Sequence, residues 1–213
     1  MALSIPQMMM WFVLLFGATA RADGFYLSES FGGTDVKDEL SSHIDRAVRA
    51  RLAIGARRGN WALEGWLAGS IGAVGTEHKV SPDCAARCEG HDTVRALITY
   101  GVDLKYIRPV TRHFEIYLRG GLSAGSLAVD GEYAGRGMGI GAGAQIKGKV
   151  PALGFLWFPL FFTGWGPKVT ASLFVDSGYE FYRFHPGGRL DATPAIDAQL
   201  NHLMVGFAVG SDF

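Results

Sequence analysis

The sequence predicts an all-β protein, an eight-stranded antiparallel up-and-down transmembrane β-barrel, and three observations support this prediction. Eight segments alternate apolar and polar residues with a period of two, which is the pattern of strands with two unlike faces. Several of these segments are longer than the strands of most globular sheets and suit an oblique crossing of a bilayer. The 30 glycines and the 12% aromatic residues suit closely packed strands that carry rings at an interface.

The clearest alternation lies between Thr93 and Tyr106, where apolar Ile98 and Leu104 interleave with polar residues such as Asp103. The first strand is less regular, because Glu29 interrupts its apolar set and leaves its phase open. The eight predicted strands are Gly24–Gly32, Ala47–Arg57, Trp61–Ala73, Thr93–Tyr106, His113–Ser126, Gly137–Lys147, Lys168–Tyr182 and His202–Phe213.

The N-terminal 22 residues predict a signal peptide. Met8 to Ala18 form an apolar run, and Ala20-Arg21-Ala22 supplies the small-x-small pattern of a cleavage site. Residues 1–10 contain no Lys or Arg, so the usual positive region is missing. A buried helix or an apolar anchor is the alternative, although a spanning helix needs about 20 apolar residues. We therefore expect residues 1–22 to be removed and residues 23–213 to form the barrel domain.

The connections between the predicted strands differ in length and character. If both chain ends are periplasmic, the outer loops are Gly33–Arg46, Gly75–Asp92, Leu127–Arg136 and Arg183–Asn201, all polar and rich in turn formers. The inner turns near Arg58–Asn60 and Ile107–Arg112 are short, as barrels of this class require. The third inner connection, Gly148–Pro167, is long and strongly apolar, and we interpret it as an interfacial element.

The polar faces of the strands predict a charged barrel interior. The expected lumen charge network consists of Arg49, Arg51, Glu64, Arg95, Asp103, Glu115, Arg119, Asp176 and Glu180. Eight strands enclose a lumen that side chains roughly fill, so these charges must be paired or hydrated. The alternative is a narrow pore or a proton path through an ion pair that opens.

Two cysteines lie in the second predicted outer loop. Cys84 and Cys88 form an even pair in an exported chain and predict a disulfide that closes a small loop. His78 and His91 flank them and suggest a metal site as the alternative. Their spacing matches no familiar zinc pattern, and oxidised cysteines do not ligate zinc as thiolates. We therefore expect no metal.

The C-terminal strand carries the most specific resemblance to a known family. Val205, Phe207 and Val209 alternate before a terminal Phe213, whereas Ser211 occupies a position that is usually hydrophobic. With this pattern over the mature length, the chain resembles the small eight-stranded outer-membrane barrels of the OmpA transmembrane domain and OmpX type. In that family the terminal pattern is an assembly signal. The resemblance implies location in the outer membrane, with its lipid, the barrel-assembly machinery and periplasmic chaperones as partners.

The expected function is a structural, surface-contact or loop-presenting role without enzymatic activity. The formal net charge is zero, which gives no general attraction to nucleic acid, and no motif implies a cofactor. Three alternatives remain: a narrow channel for small or hydrophobic solutes, a lipid-modifying enzyme, and a soluble exported lipid-binding barrel. The oligomeric state stays open.

The enzyme alternative has one candidate site. Ser41, His43 and Asp45 alternate near the second strand, but in the lumen phase of Arg49, whereas a substrate lipid lies outside the barrel. The remaining histidines, including His113, His185 and His202, are interpreted as solvated residues near the barrel rims.

The covalent predictions are tested together by the intact mass of the protein purified from membranes. We expect a chain that begins at Asp23 and lacks two hydrogen atoms, because cleavage follows Ala22 and Cys84 is bonded to Cys88. Alkylation before and after reduction is the control. A chain that keeps Met1, or two cysteines alkylated without reductant, contradicts these predictions.

Overall fold

The structure, a computed structural model, describes residues 24–42, 46–73, 95–128, 132–151, 168–186 and 195–211. These residues form eight long strands and one 3-10 helical turn, Glu39–Ser42. The strands are β1 Gly24–Asp38, β2 Arg46–Arg58, β3 Trp61–Ala73, β4 Arg95–Pro109, β5 Phe114–Ala128, β6 Glu132–Pro151, β7 Lys168–Pro186 and β8 Ile196–Gly210. In these ranges, no helix has the length and apolarity needed to cross a membrane.

The eight strands form one closed antiparallel barrel. Each strand pairs with the next strand in sequence, and β8 pairs with β1 from Tyr26↔Gly210 to Asp38↔Ala198. Closure leaves no strand edge, so the backbone groups of every strand are paired within the sheet, as a membrane interior requires. The predicted fold class, an eight-stranded antiparallel up-and-down barrel, is confirmed.

The strands are strongly staggered around the barrel. A path perpendicular to the strands leaves β1 at Phe25, crosses each neighbour in turn, and returns to β1 at Asp35, ten residues further along. Such a stagger over eight strands tilts them by about 40° from the barrel axis. The tilt fixes which residues of different strands lie at the same height.

The two ends of the barrel differ. At the turn end, β1 begins and a two-residue turn, Gly59-Asn60, joins β2 to β3, with Gly59 at φ 58°. Glycine adopts this left-handed conformation without the steric penalty that other residues meet. At the cap end, the 3-10 turn Glu39–Ser42 follows β1 and reaches over the barrel opening.

Through the middle of the barrel wall, apolar residues dominate the outer face and charged residues the inner face. Leu122 is 71% exposed on the outside, whereas Arg49 is fully buried inside. The outward apolar belt includes Leu27, Phe31, Leu52, Ile54, Leu67, Ile98, Leu104, Leu118, Leu122, Met138, Ile140, Leu173, Val175, Leu203, Val205 and Phe207. A water-soluble lipid-binding barrel needs an apolar interior and a polar outside, so this surface argues against the soluble alternative.

The belt has polar edges at the height of two membrane interfaces. At the turn end Trp61 packs on Tyr106 with a ring separation of 5.0 Å, and Arg108 follows on the outside. At the cap end the outward positions carry charges, including Arg46 and Arg183. The ten residues between Phe25 and Asp35 span about 25 Å along the tilted axis, which matches the apolar band of outer-membrane barrels.

Four strands extend four or more residues beyond a predicted end, so parts of three predicted outer loops are strand. β1 continues to Asp38, where Gly33–Arg46 was expected to be a loop, while β6 spans Glu132–Pro151 and β8 begins at Ile196. β7 likewise continues past Tyr182 to Pro186. The outward residues of these extensions are polar because they project above the apolar belt, and this polarity resembles that of a loop. Beyond Pro151, the apolar connection lies outside the described residues.

The depth of the belt is tested by arginine substitutions at two matched isoleucines of β6. Ile140 and Ile146 both point outward and are 63% and 62% exposed, but Ile140 lies at mid-belt and Ile146 near the turn end. We expect Ile140→Arg to lower the free energy of unfolding by about 2–4 kcal/mol and Ile146→Arg by at most about 1 kcal/mol. Reversible urea unfolding in lipid vesicles measures both. Equal costs contradict the assigned belt.

Candidate functional site: the barrel interior

The interior is filled by charged side chains at mid-height. Eight residues of the predicted lumen network have described side chains, and each is at most 7% exposed. They are Arg49, Arg51, Glu64, Asp103, Glu115, Arg119, Asp176 and Glu180. The side chain of Arg95, the ninth, lies outside the described part of the structure. Strand alternation places these groups inside, and the register decides which of them meet.

The central chain of ion pairs joins β2, β3, β4, β5 and β7. Arg51 Nη2 lies 2.8 Å from Asp103 Oδ2 and 3.3 Å from Glu64 Oε2. Arg119 Nη1 donates to the same Asp103 oxygen at 3.1 Å, and its Nη2 donates to Asp176 Oδ1 at 2.8 Å. Asp103 is therefore shared by two guanidinium groups. The result is a continuous network that crosses the lumen.

A second pair lies nearer the cap end. Arg49 Nη2 donates to both carboxylate oxygens of Glu180, at 3.0 and 2.9 Å, and to Thr99 Oγ1 at 3.3 Å. Tyr182 also donates its hydroxyl to Glu180, at 2.9 Å. Arg49 and Glu180 are 0% and 1% exposed. At this level the pair shields both charges from water.

His202 belongs to the network, and the prediction that it is a solvated rim residue was wrong. It is 3% exposed, its Nε2 contacts Arg119 Nη2, and it lies 3.5 Å from Asp176 Oδ1. The prediction failed because β8 was expected to begin at His202, whereas it begins six residues earlier at Ile196. The signal that was available is alternation, since Met204 and Ala208 share its inward face.

The third group of charges occupies the half nearer the turn end. Glu64 accepts hydrogen bonds from Lys105 Nζ at 2.5 Å and from the Tyr26 hydroxyl at 2.8 Å. The ammonium group of Lys105 also lies 4.6 Å from the ring centre of Tyr117. Tyr117 in turn donates its hydroxyl to Asp176 at 2.9 Å. Aromatic residues thus link the central ion pairs to the turn end.

Glu115 organises the last layer at the turn end. Arg57 binds it with two parallel hydrogen bonds, of 2.9 and 3.1 Å. Gln145 Nε2 and Lys147 Nζ add hydrogen bonds of 2.6 and 2.7 Å. The Nε group of Arg57 also donates to the Gly59 carbonyl oxygen at 2.8 Å. This cluster therefore ties the tight β2–β3 turn to β5 and β6.

Glycines make room for these long side chains. A Cβ atom added at Gly141 would lie 2.9 Å from Arg119 Nε, and one added at Gly178 would lie 2.8 Å from Arg119 Nη2. At Gly143 an added Cβ would lie 2.4 Å from the Tyr117 ring. Larger residues at these places would displace the network, so the glycine-rich face of β6 serves packing.

An apolar cluster, here called the cap, closes the interior at the cap end. Val36, Leu40, Leu97, Leu127, Phe184 and Leu200 form most of it, and none is more than 4% exposed. Phe184 stacks on Tyr182 with a ring separation of 5.5 Å, so the cap rests directly on the Arg49–Glu180 level. Leu40 comes from the 3-10 turn and folds over the opening. The lumen is therefore blocked twice, by apolar packing and by ion pairs.

The candidate catalytic and metal-binding residues of the sequence are only partly described. Among the described residues, no three His, Cys, Asp or Glu side chains form a group that could hold a metal ion. Ser41 lies in the 3-10 turn and donates its hydroxyl to the Asp38 carbonyl oxygen at 2.6 Å. His43 and Asp45, its predicted partners, lie outside the described residues, as do the predicted disulfide, its flanking histidines and the signal peptide.

The residues of the predicted assembly signal are partly described. Val205 and Phe207 point outward from β8 and are 56% and 42% exposed, and Val209 follows on the same face. Phe213 lies outside the described residues. These side chains belong to the lipid-facing belt and take no part in the interior network.

This protein is similar to known proteins in its structure and not in its sequence. No protein-family model matches the sequence, and no curated protein matches it. The structure of Neisserial surface protein A aligns with a TM-score of 0.50 and 16% identity, covering 87% of this chain and 96% of that chain. The fold is that of the small outer-membrane barrels.

Two further solved barrels show weaker similarity. Ail of Yersinia pestis, solved with a heparin analogue, is 14% identical at a TM-score of 0.45 and covers 88% of this chain and 97% of its own. The N-terminal barrel domain of Pseudomonas aeruginosa OprF is 15% identical at a TM-score of 0.39, covering 86% and 96%. The closed eight-stranded sheet and the alignment with Neisserial surface protein A confirm the predicted resemblance to small outer-membrane barrels at the level of fold.

The energetic role of the network is tested by removing its central guanidinium. Arg119→Gln leaves Asp176 buried without its main partner, so we expect the free energy of unfolding to fall by about 3–5 kcal/mol. Arg46→Gln is the control, because Arg46 pairs with Asp35 at 3.9 Å while both are largely exposed, and its loss costs under about 1 kcal/mol. Urea unfolding in vesicles compares them. Equal effects would show that the ion pairs are hydrated and weak.

Proposed function

We propose that this protein is a sealed barrel of the bacterial outer membrane, a rigid frame that presents its connecting segments at the cell surface. The observation that carries the proposal is the double closure of the lumen by the apolar cap and the ion-pair network. A frame with a filled interior holds its connections at fixed positions and gives solutes no passage. The role is structural or surface contact, without enzymatic activity.

The ion pairs make the closure costly to open. A solute would have to separate Arg119 from Asp176 or Arg49 from Glu180, and each of these residues is at most 5% exposed. Separating one buried pair costs about 3–5 kcal/mol, because both partners lose the main interaction that offsets their lost hydration. The apolar cap adds a second barrier, since an apolar constriction excludes water. Both features disfavour the channel alternative.

The belt supports location in the outer membrane. Its height of about 25 Å, its two polar edges and the closed sheet fit a bilayer crossed by strands. With the predicted signal peptide and the terminal pattern of β8, the chain would be exported and inserted by the assembly machinery with the help of periplasmic chaperones. The turn end then faces the periplasm, and the cap end faces the surroundings of the cell.

Basic side chains on the cap-end rim fit contact with outer-leaflet lipid. Arg136 lies directly opposite Arg183 in the β6–β7 pairing, and both point outward above the belt. Like charges at opposed positions of a sheet repel, and the ion pair of Arg183 with Asp197, at 3.5 Å and largely exposed, offsets only part of this repulsion. A phosphate bound by both guanidinium groups would offset the rest. At this height the phosphates of lipid headgroups are the available anions. The rim thereby anchors the barrel at a fixed depth.

The seal is tested by planar-bilayer recording of the refolded mature protein. We expect no steady conductance, because the cap and the ion pairs block the same path in series. Folding and insertion are checked separately by the faster mobility of the unboiled protein in SDS gels and by protease resistance of inserted strands.

A general porin in the same bilayer is the positive control for the recording. Steady conductance from preparations that pass the folding checks would falsify the sealed-frame proposal and restore the channel. Failure of the mobility and insertion checks would overturn the membrane location itself. A change in lipid A mass when the protein is absent from cells would support the enzyme alternative.

A further inference from the structure

Among the described residues, one carboxylate points outward within the apolar belt. Glu29 of β1 points outward between Leu27 and Phe31, and its neighbours across the strands are Leu52 of β2 and Phe207 of β8. Its carboxyl group makes no hydrogen bond or ion pair with any residue that the structure describes. It explains why the alternation of the first strand was ambiguous in the sequence.

The position of Glu29 is deep in the belt. It lies four residues beyond Phe25 on β1, which is about 10 Å along the tilted barrel axis from the turn-end edge. Acyl chains at that depth offer no hydrogen-bond donor, and headgroups are too far away for a glutamate side chain. Outward acidic residues in the apolar band are costly and need a polar partner.

A hydroxyl group lies on the other side of β8 at nearly the same height. Ser177 of β7 points outward, is exposed, and pairs with Leu203, whereas Glu29 pairs with Phe207. From the stagger of the strands, the two residues differ in height by about 4 Å. Among the described residues that point outward near the middle of the belt, Glu29 and Ser177 are the two polar side chains other than tyrosine. They flank β8, with Val205 between them.

Symmetry brings these two residues together in a pair of barrels. When two copies are inserted in the same direction and face each other through β8, a two-fold axis along the membrane normal sets β1 of one copy against β7 of the other. This arrangement sets Ser177 of each copy opposite Glu29 of the facing copy, so that the hydroxyl can donate to the carboxyl group at two symmetric places. The apolar Leu203, Val205 and Phe207 pack around the axis.

We infer that the β8 face, flanked by Glu29 and Ser177, is the interface of a homodimer within the membrane. The inference rests on the proposed membrane location. A second copy fits better than lipid because it supplies a donor at the required depth, and a symmetric contact satisfies both glutamates at once. The contact leaves the lumen and its seal unchanged, so the dimer extends the frame laterally.

The interface is tested first by a cysteine on the axis. The test uses a chain in which both native cysteines are replaced, Cys84→Ser and Cys88→Ser. In this chain Val205→Cys places a thiol at the centre of the proposed contact. We expect oxidation in native membranes to link two such chains by a disulfide. Leu104→Cys is the matched control, because Leu104 is 50% exposed at a similar depth on β4, across the barrel, whereas Val205 is 56% exposed. Equal cross-linking at both positions overturns the interface.

The polar contact is tested by the monomer–dimer equilibrium of labelled protein in vesicles. We expect Glu29→Leu to lower the dimerisation constant about ten-fold, because both symmetric hydrogen bonds are lost. Ser177→Ala should lower it similarly, and Glu29→Gln should retain most of it. The inference is refuted if Glu29→Leu and the wild-type protein have the same dimerisation constant. It is also refuted if the wild-type protein stays monomeric.

These outcomes are separable from failure of the membrane proposal. Each variant is first checked for the mobility shift of the folded barrel and for insertion into vesicles. A variant that passes both checks and is monomeric speaks against the dimer alone. Loss of insertion in the wild type would instead overturn the membrane location.

Discussion

Pairing between the first and last strands is the constraint on which the rest of the structure depends. β1 and β8 are joined through thirteen paired positions, from Tyr26↔Gly210 to Asp38↔Ala198. Without this pairing both strands would expose backbone groups to lipid, each at a cost of several kcal/mol. Closure also fixes the stagger of ten residues, which sets the strand tilt and the height of each side chain.

Once the sheet is closed, the interior is too narrow to remain empty. Long side chains from β2, β4, β5 and β7 meet near the axis, and the charges must neutralise one another there. Arg119 shows how this is achieved, since it contacts Asp103 and Asp176 and occupies space left by Gly141 and Gly178. The glycines on some strands therefore leave the space that the long side chains on other strands fill.

The interior and the surface perform different tasks. Inside, the ion pairs and the cap fill the barrel between its two ends. Outside, the apolar belt faces away from the interior, with Arg136 and Arg183 above it and Glu29 and Ser177 within it. The proposed frame role follows from the first of these features, and the proposed headgroup and dimer contacts follow from the second.

By itself, the sequence determined the fold class, the strand count and the inward or outward direction of most side chains. These properties follow from alternation with a period of two, which depends only on local backbone geometry, as in the correct inward placement of Asp103 and Glu180. The partners of these residues depend on register and stagger, which no local pattern contains.

The positions at which the strands end were also decided by tertiary structure. Val36 and Leu200 are strand residues because they complete the cap, although their outward neighbours are as polar as a loop. His202 was misplaced for the same reason, since only the longer β8 brings it between Arg119 and Asp176.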